Sequence, residues 1–276
     1  VTEGAGPASF KDGYAYQFSR MMVKKYCPEG KNNIYFDGAG LGGTPSSLGL
    51  LRYKQDVVNV LGHEPDLLVI EFAVNDSGSP DCSMAFEQLI RNALLKNEDA
   101  AVIALYSAAT YPNQQKWMSS IAGYYDIPQV SVQNAINSNN DEFTKGRESQ
   151  YYSDYVHPTK EGHTIQADCL LNIIDIAAKS DVTDRAQIPS EYKYLSNFEN
   201  FKQILGDDEN VKIKAGSFNS KDAQTQNKMK DNKPSFPNNW YPKPGAGSES
   251  FVMDITCKNL VFVHKVNGGW TGIKGG

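Results

Sequence analysis

The 276-residue sequence has little of what marks several common classes of protein. Its four cysteines form no Cys-x-x-Cys pair and have no histidine at metal-ligand spacing, so neither a disulfide framework nor a zinc site is indicated. No apolar run approaches the roughly 20 residues that a membrane-spanning helix needs. The formal charge is -5, without the stripe of Lys and Arg that nucleic-acid binding requires. We therefore expect no metal, no cofactor, and neither a membrane nor a nucleic acid as partner.

Two further absences concern the ends of the chain and a catalytic nucleophile. The chain has no initiator Met and stops in a glycine-rich run just after strand-like sequence, so we expect a fragment cut inside domains at both ends. No serine lies in Gly-x-Ser-x-Gly or a comparable sharp turn. We interpret four candidates as caps, turns or surface residues: Ser9, Ser46, Ser77 and Ser153. The compartment and the oligomeric state stay open, and secretion is compatible with the sequence.

Helix-like and strand-like patterns alternate over the first 180 residues. Helices are predicted at 14–26, 44–61, 83–96, 113–124 and 159–178, and strands at 33–36, 67–72, 100–106 and 129–132. This alternation predicts an α/β fold in which a parallel sheet lies between two layers of helices. Ligands of such sheets bind at the carboxyl ends of the strands.

The character of the sequence changes near residue 181. Residues 181–193 are polar and predict a linker, and residues 194–276 predict a β-rich accessory domain that is incomplete at its C-terminal edge. Strand-like alternation is found at 211–214 and 260–263. The aromatic residues of this region fit either a sugar-binding platform or the core and edge of a small sandwich: Trp240, Tyr241 and Trp270.

A glycine-rich loop follows the first predicted strand. Gly38, Gly40 and Gly43 have the G-x-G-x-x-G spacing of a dinucleotide-binding loop. A helix already precedes this strand, however, and Pro45 removes an amide near the helix start where a pyrophosphate would bind. A tight turn and an oxyanion-binding loop are the two other interpretations.

Polar side chains follow one later predicted strand and precede the last predicted helix. Asn75 and Asp76 come after a buried strand, where the Asn amide can donate to a developing oxyanion. Asp154 precedes His157 by three residues. Its carboxylate can accept the proton on one ring nitrogen, which leaves the other nitrogen free as a base. Such a pair normally serves a nucleophile.

In combination, these segments resemble the SGNH, or GDSL-like, hydrolases. Residues 65–76 resemble the block written G-x-N-D, with Ala73 in place of the glycine, and residues 154–159 resemble the D-x-x-H-P block. Residues 40–44 resemble the block that supplies a backbone oxyanion amide. Residues 1–4 resemble the segment that follows the nucleophilic serine of the first block.

The resemblance implies an architecture for the whole chain. Residues 1–180 would form the flavodoxin-like three-layer parallel sheet of the SGNH hydrolase fold, without its first strand. The linker 181–193 and the β-rich domain 194–276 would follow.

The resemblance also implies a serine esterase or acyl hydrolase. His157 would be the base, Asp154 would orient it, and Asn75 and the amide of Gly43, or else of Gly42, would bind the oxyanion. The serine would lie just upstream of the first residue, so we expect the fragment itself to be inactive. The expected substrate is a small-molecule or polysaccharide ester, and an acetylated carbohydrate is favoured.

Two other classes of function stay open at this point. One is a non-catalytic carbohydrate-binding or scaffold protein that keeps a relic hydrolase fold. The other is a nucleotide-binding enzyme that uses the loop containing Gly38, Gly40 and Gly43.

Overall fold

Two compact units make up the described part of the chain. The computed structural model describes residues 1–6, 9–27, 34–138, 150–181, 185, 187–194, 198–206, 211–222 and 238–264. The described residues up to Gln203 belong to the first unit, and those of 204–222 and 238–264 belong to the second.

A parallel sheet of three strands lies in the first unit, as the sequence predicts. Its strands are β1 (Leu67–Ile70), β2 (Ala101–Tyr106) and β3 (Gln129–Ser131), in the order β1-β2-β3. Leu67 lies opposite Ala101, and Ala104 lies opposite Gln129. Since all three strands run in one direction, the loops that leave them emerge at the same edge of the sheet.

Helices cover both faces of this sheet. They are α1 (Tyr14–Tyr26), α2 (Ser46–Tyr53), α3 (Asn59–Leu61), α4 (Pro80–Lys96), α5 (Gln115–Tyr124), α6 (Val132–Ser138) and α7 (Lys160–Ala178). A π-helical segment, Lys54–Val58, joins α2 to α3. Thr159 caps α7 by accepting a hydrogen bond from the Gly162 N–H at 3.0 Å. Among the described helices, none combines the length and apolarity needed to cross a bilayer.

Alternating side chains of β2 build two separate cores. Val102, Ala104 and Tyr106 pack in a cluster with apolar residues of α2, α4 and α5. Ile103 and Leu105 pack in a second cluster with α1 and α7. Because successive residues of a strand point to opposite faces, this partition places the sheet between two helical layers. The predicted three-layer α/β arrangement is confirmed.

Two predicted strands are wrong within the described residues. Residues 34–36 form no strand, so the glycine loop does not follow a strand as the dinucleotide interpretation needs. Residues 260–263 also form no strand, and their side chains are exposed. Both segments have β-prone compositions, but strand propensity depends on a neighbouring strand and a face to bury.

The second unit contains a small antiparallel ribbon among its described residues. Its strands are β4 (Lys212–Lys214) and β5 (Val252–Asp254). Trp240 packs edge-on against Phe251, with ring centroids 5.1 Å apart. Tyr241 exchanges two backbone hydrogen bonds with Ser220. Trp240 and Tyr241 thus contribute to the packing of this unit, and Trp270 lies outside the described residues.

Residues 187–194 pack along α4, although their composition predicts a linker. The buried carboxylate of Glu87 accepts hydrogen bonds from two consecutive backbone N–H groups of this segment, at 2.5 and 2.9 Å. Arg91 donates to one of its carbonyl oxygens at 2.9 Å, and its guanidinium lies 4.2 Å from the ring centroid of Tyr192. The first unit consequently extends to Gln203, beyond the boundary predicted between residues 180 and 194.

We expect Glu87→Ala to lower the free energy of unfolding by about 3 kcal/mol, because the buried Tyr125 hydroxyl and the N–H groups of Lys193 and Tyr194 lose their common acceptor. Hydrogen exchange should show lost protection at the amides of Lys193 and Tyr194, which Glu87 binds. Lys96→Ala on the same helix is the control, since its side chain is half exposed and should change stability by less than about 0.5 kcal/mol. Unchanged protection in Glu87→Ala would show that this carboxylate does not hold the segment.

Candidate active site

Asp154 and His157 form a hydrogen-bonded pair. The Asp154 Oδ2 atom lies 2.8 Å from the His157 Nδ1 atom. The other carboxylate oxygen, Oδ1, accepts from the backbone N–H groups of Val156 and His157, at 2.8 and 2.7 Å. One carboxylate therefore shapes the turn and fixes the imidazole at the same time.

Backbone hydrogen bonds close the loop that contains this pair. The backbone N–H of Ser153 donates to the His157 carbonyl at 2.8 Å, and that of Thr159 donates to the Tyr151 carbonyl at 2.7 Å. Thr159 is also the N-cap of α7. A side chain at Gly162 would collide with the Tyr151 carbonyl, so glycine lets the loop sit directly on the first turn of α7. Both halves of the loop are thereby attached to a helix of the core.

Ionisation of Asp154 is favoured by its hydrogen bonds. The backbone N–H of His157, then its side chain, then the N–H of Val156 lower the pKa of Asp154 to about 2. The carboxylate is thus ionised at neutral pH and can only accept hydrogen bonds. Nδ1 of a neutral His157 must therefore carry the proton, and Nε2 holds the lone pair. This is the tautomer that a general base needs.

The four serines considered above do not bond to this imidazole. Ser46 Oγ donates to the Cys82 carbonyl, and Ser153 Oγ donates to the backbone carbonyl of His157. Ser9 caps a short turn, and Ser77 Oγ lies 3.8 Å from the thiol of Cys82. Ser9 is a cap, as predicted, whereas Ser46 is fully buried in the first turn of α2 and is not a surface residue.

Asn75 lies in a tight turn beyond the end of β1. Its N–H donates to the Phe72 carbonyl at 2.9 Å, and so does the N–H of Asp76. The Asn75 side chain is half-buried and has no hydrogen-bond partner among the described residues. Its amide is thus available as a donor to a ligand at the carboxyl edge of the sheet.

The glycine loop exposes one of the two amides predicted to bind an oxyanion. Gly42 N–H donates to the Glu3 carboxylate at 2.5 Å, so this amide is occupied. Gly43 is exposed, and its N–H has no partner in the described part of the chain. Gly43 has a φ of +69°, which favours glycine. The contacts favour Gly43 over Gly42 as the donor.

A buried hydrogen bond joins the loops of Asn75 and Gly43. Asp76 Oδ1 accepts from the backbone N–H of Ser46 at 2.6 Å, at the start of α2. Asp76 follows Asn75 directly, and Ser46 lies three residues after Gly43. The two candidate donors are therefore held on loops that cannot move apart without breaking this bond.

Residues 1–6 contact all three segments that contain the candidate residues. Thr2 Oγ1 donates to the buried Glu71 carboxylate at 2.7 Å, just after β1. Glu3 binds the glycine loop through Gly42, as described above. A side chain at Gly6 would collide with the carbonyl of Pro158, next to His157. All three functional loops thus touch one six-residue segment. Sequence reasoning did not identify Glu71, because its role depends on a partner 69 residues away.

His163 lies in the same region and is fully buried. Its Nδ1 accepts from the Tyr14 backbone N–H at 3.1 Å, so its Nε2 carries the proton and donates to the Ala5 carbonyl at 3.1 Å. Burial lowers the pKa of His163 to about 4. The residue attaches the start of α1 and the N-terminal segment to α7, which is a packing role.

Comparison with protein families identifies the first unit. The model of the GDSL-like lipase/acylhydrolase family matches residues 1–165. The chain belongs to this family. No curated protein matches the sequence significantly.

Solved structures with a similar fold include members described as esterases. One is a two-domain esterase (CEX) active on acetylated mannans, co-crystallized with mannopentaose; it has 24% identity and a TM-score of 0.65, over 87% of this chain and 61% of that chain. A second structure of a two-domain esterase active on acetylated mannans has 25% identity and a TM-score of 0.64, over 87% and 62%. A GDSL-like lipase from Parabacteroides merdae has 18% identity and a TM-score of 0.50, over 61% and 84%. The present chain spans about three fifths of the length of the two-domain esterases.

Buried Asp76 makes stability depend on pH in a predictable direction. Burial raises the pKa of Asp76 to about 6, against the opposing effect of its bonds with Ser46. The folded protein therefore binds this proton more tightly than the unfolded chain, whose aspartates have a pKa of about 4. The resulting stabilisation is complete below about pH 4 and is lost as the pH rises through about 6.

We expect Asp76→Asn to remove this dependence, because Asn keeps an acceptor for the Ser46 N–H but does not ionise. Urea unfolding of both proteins between pH 4 and pH 7 measures the effect. The free energy of unfolding of the variant should rise relative to wild type by up to about 3 kcal/mol over this range. A difference that is constant with pH would contradict the assignment.

Proposed function

We propose that the protein is a serine esterase that removes acetyl groups from carbohydrates. The observation that carries the proposal is the 2.8 Å hydrogen bond between an ionised Asp154 and His157 Nδ1, in a chain of the GDSL-like family. The described activity of the two-domain esterases on acetylated mannans supports this substrate class.

The nucleophile in this proposal is a serine directly upstream of Val1. Residues 1–4 resemble the segment that follows the nucleophile in the family. The bonds of Thr2 to Glu71 and of Glu3 to the glycine loop support the position, because they hold the start of the chain against two of the candidate loops. The buried side chain of Val1 packs in the second core cluster and restrains the same point of the chain.

The reaction proceeds through two tetrahedral intermediates. His157 Nε2 takes the serine proton while the serine oxygen attacks the ester carbonyl carbon. Asn75 and the N–H of Gly43 donate to the oxyanion that develops on the carbonyl oxygen. His157 then protonates the leaving sugar hydroxyl, and an acetyl-serine remains. A water molecule, deprotonated by His157, releases acetate by the same steps in reverse order.

Asp154 contributes without exchanging a proton. Its pKa near 2 keeps it anionic throughout, so it stabilises the imidazolium that forms when His157 takes the serine proton. Its two bonds to backbone N–H groups hold the carboxylate against rotation. The imidazole therefore keeps one orientation through both halves of the reaction.

The proposal is tested with a chain extended upstream through the serine, assayed on p-nitrophenyl acetate. His157→Ala should lower kcat by about 10⁴-fold or more, and Asp154→Asn by about 10²–10⁴-fold. His63→Ala is the control, because this exposed histidine lies in a loop and, among the described residues, bonds only to the adjacent Glu64 carbonyl. The chain starting at Val1 should have little or no activity. Equal rates in the two chains, surviving His157→Ala, would refute the site.

The oxyanion assignment has its own test in the extended chain. Removal of the Asn75 donor in Asn75→Ala should lower kcat by about 10²–10³-fold with little change in KM, because the bond forms only in the transition state. Asn59→Ala provides the matched control on the exposed surface of α3. A kcat near that of wild type in Asn75→Ala would remove this residue from the mechanism.

A further inference from the structure

Two exposed tyrosine rings lie together at the Asp154–His157 turn. Tyr155 lies inside this turn and is 65% exposed, and Tyr111, in the loop between β2 and α5, is 39% exposed. Their ring centroids are 6.2 Å apart, with an angle of 40° between the planes. Neither hydroxyl has a hydrogen-bond partner among the described residues. These rings belong to neither core cluster, so packing does not explain them.

The backbone beneath the rings is firmly held. The Tyr155 carbonyl accepts from both the N–H and the Oγ1 hydroxyl of Thr110, each at 3.0 Å. On the other side, the Asp154 carboxylate binds the next two backbone N–H groups. Hydrogen bonds on both sides of Tyr155 therefore fix the backbone from which its ring projects. Tyr155 precedes the proposed proton acceptor, His157, by only two residues.

Two of the other exposed tyrosines of the first unit differ in this respect. Tyr26 donates to Asp175, and Tyr124 donates to the Glu191 carbonyl, so both hydroxyls are engaged in the fold. Tyr111 and Tyr155 instead offer two aromatic faces together, with two hydroxyls that have no partner in the described part of the chain. Tyrosine provides a large, rigid contact area with a polar end at low cost in conformational entropy.

We propose that Tyr111 and Tyr155 form a binding platform for the neutral sugar that carries the ester. This inference rests on the proposed esterase function and adds the residues that would recognise the alcohol part of the substrate. The C–H face of a pyranose ring packs on aromatic rings, and its hydroxyls pair with the phenol hydroxyls. The adjacent Asp154 is ionised, so an anionic sugar is repelled and a neutral one is preferred.

The test measures sugar binding rather than turnover, so the chain Val1–Gly276 is used as it is. Mannopentaose is titrated calorimetrically, with a pentamer of galacturonate as the anionic comparison. We expect mannopentaose to bind in the millimolar range or more tightly. Tyr155→Ala and Tyr111→Ala should each weaken binding by about fivefold or more, and Tyr155→Phe, which keeps the ring, by about twofold at most.

Tyr26→Ala is the matched control. Tyr26 is the last residue of α1, and the first residue of this helix, Tyr14, bonds to His163. Twelve residues of helix therefore separate Tyr26 from that contact by roughly 18 Å. Its loss should leave binding unchanged. The platform is refuted if the wild-type chain does not bind mannopentaose, or if both alanine variants bind as well as wild type, as they would if the second unit held the sugar. Stronger binding of the galacturonate pentamer would also overturn the preference for a neutral sugar.

Failure of this inference is distinguishable from failure of the proposed function. p-Nitrophenyl acetate contains no sugar, so its turnover by the extended chain reports on the catalytic residues alone. Turnover combined with unaltered sugar binding in both alanine variants would leave the esterase and remove the platform. Weakened sugar binding without any turnover would leave the platform and remove the esterase.

Discussion

The candidate site depends on the hydrogen bonds that the Asp154 carboxylate accepts. This carboxylate accepts three hydrogen bonds, two from backbone N–H groups and one from the His157 ring. The backbone bonds close the turn, and the ring bond selects the tautomer of the imidazole. Since the same bonds lower the pKa of Asp154 to about 2, the charge that shapes the loop is present at any pH at which a neutral histidine exists. The geometry of the loop and the tautomer of His157 are therefore coupled through one carboxylate.

The α/β architecture positions the loops that carry the candidate site residues. β1 and β2 are parallel, so the turn with Asn75 and the loop with Thr110 leave the sheet at the same edge. Thr110 then bonds to Tyr155, next to the acid/base pair. On the opposite side, the buried Asp76 ties the start of α2 to the Asn75 turn. The loops are held by individual hydrogen bonds, while the two cores around the sheet fix their starting points.

The sequence predicts correctly those helices, strands and contacts that depend on residues close together in the chain. The helix 14–26 and the strand near 101–106 have strong periodicity, and Asp154 and His157 are three residues apart, so one turn decides their contact. The positions of Asn75 and Gly43 follow from the resemblance to a family and not from any local pattern. The segment 187–194 was predicted as a linker because its own composition is polar. Its packing depends on Glu87 and Arg91, about 100 residues earlier in the chain.

The two histidines of this region show how burial separates the proposed base from a packing residue. Both nitrogens of His163 are engaged, by the Tyr14 N–H and the Ala5 carbonyl, and burial lowers its pKa to about 4. It can take a proton only by giving up a bond to the fold. His157 uses one nitrogen to bind Asp154, and its side chain is 39% exposed. A base must offer a lone pair to a reacting group and tolerate the resulting charge. His157 meets both requirements, because Asp154 compensates the charge and no fold contact competes for Nε2 among the described residues.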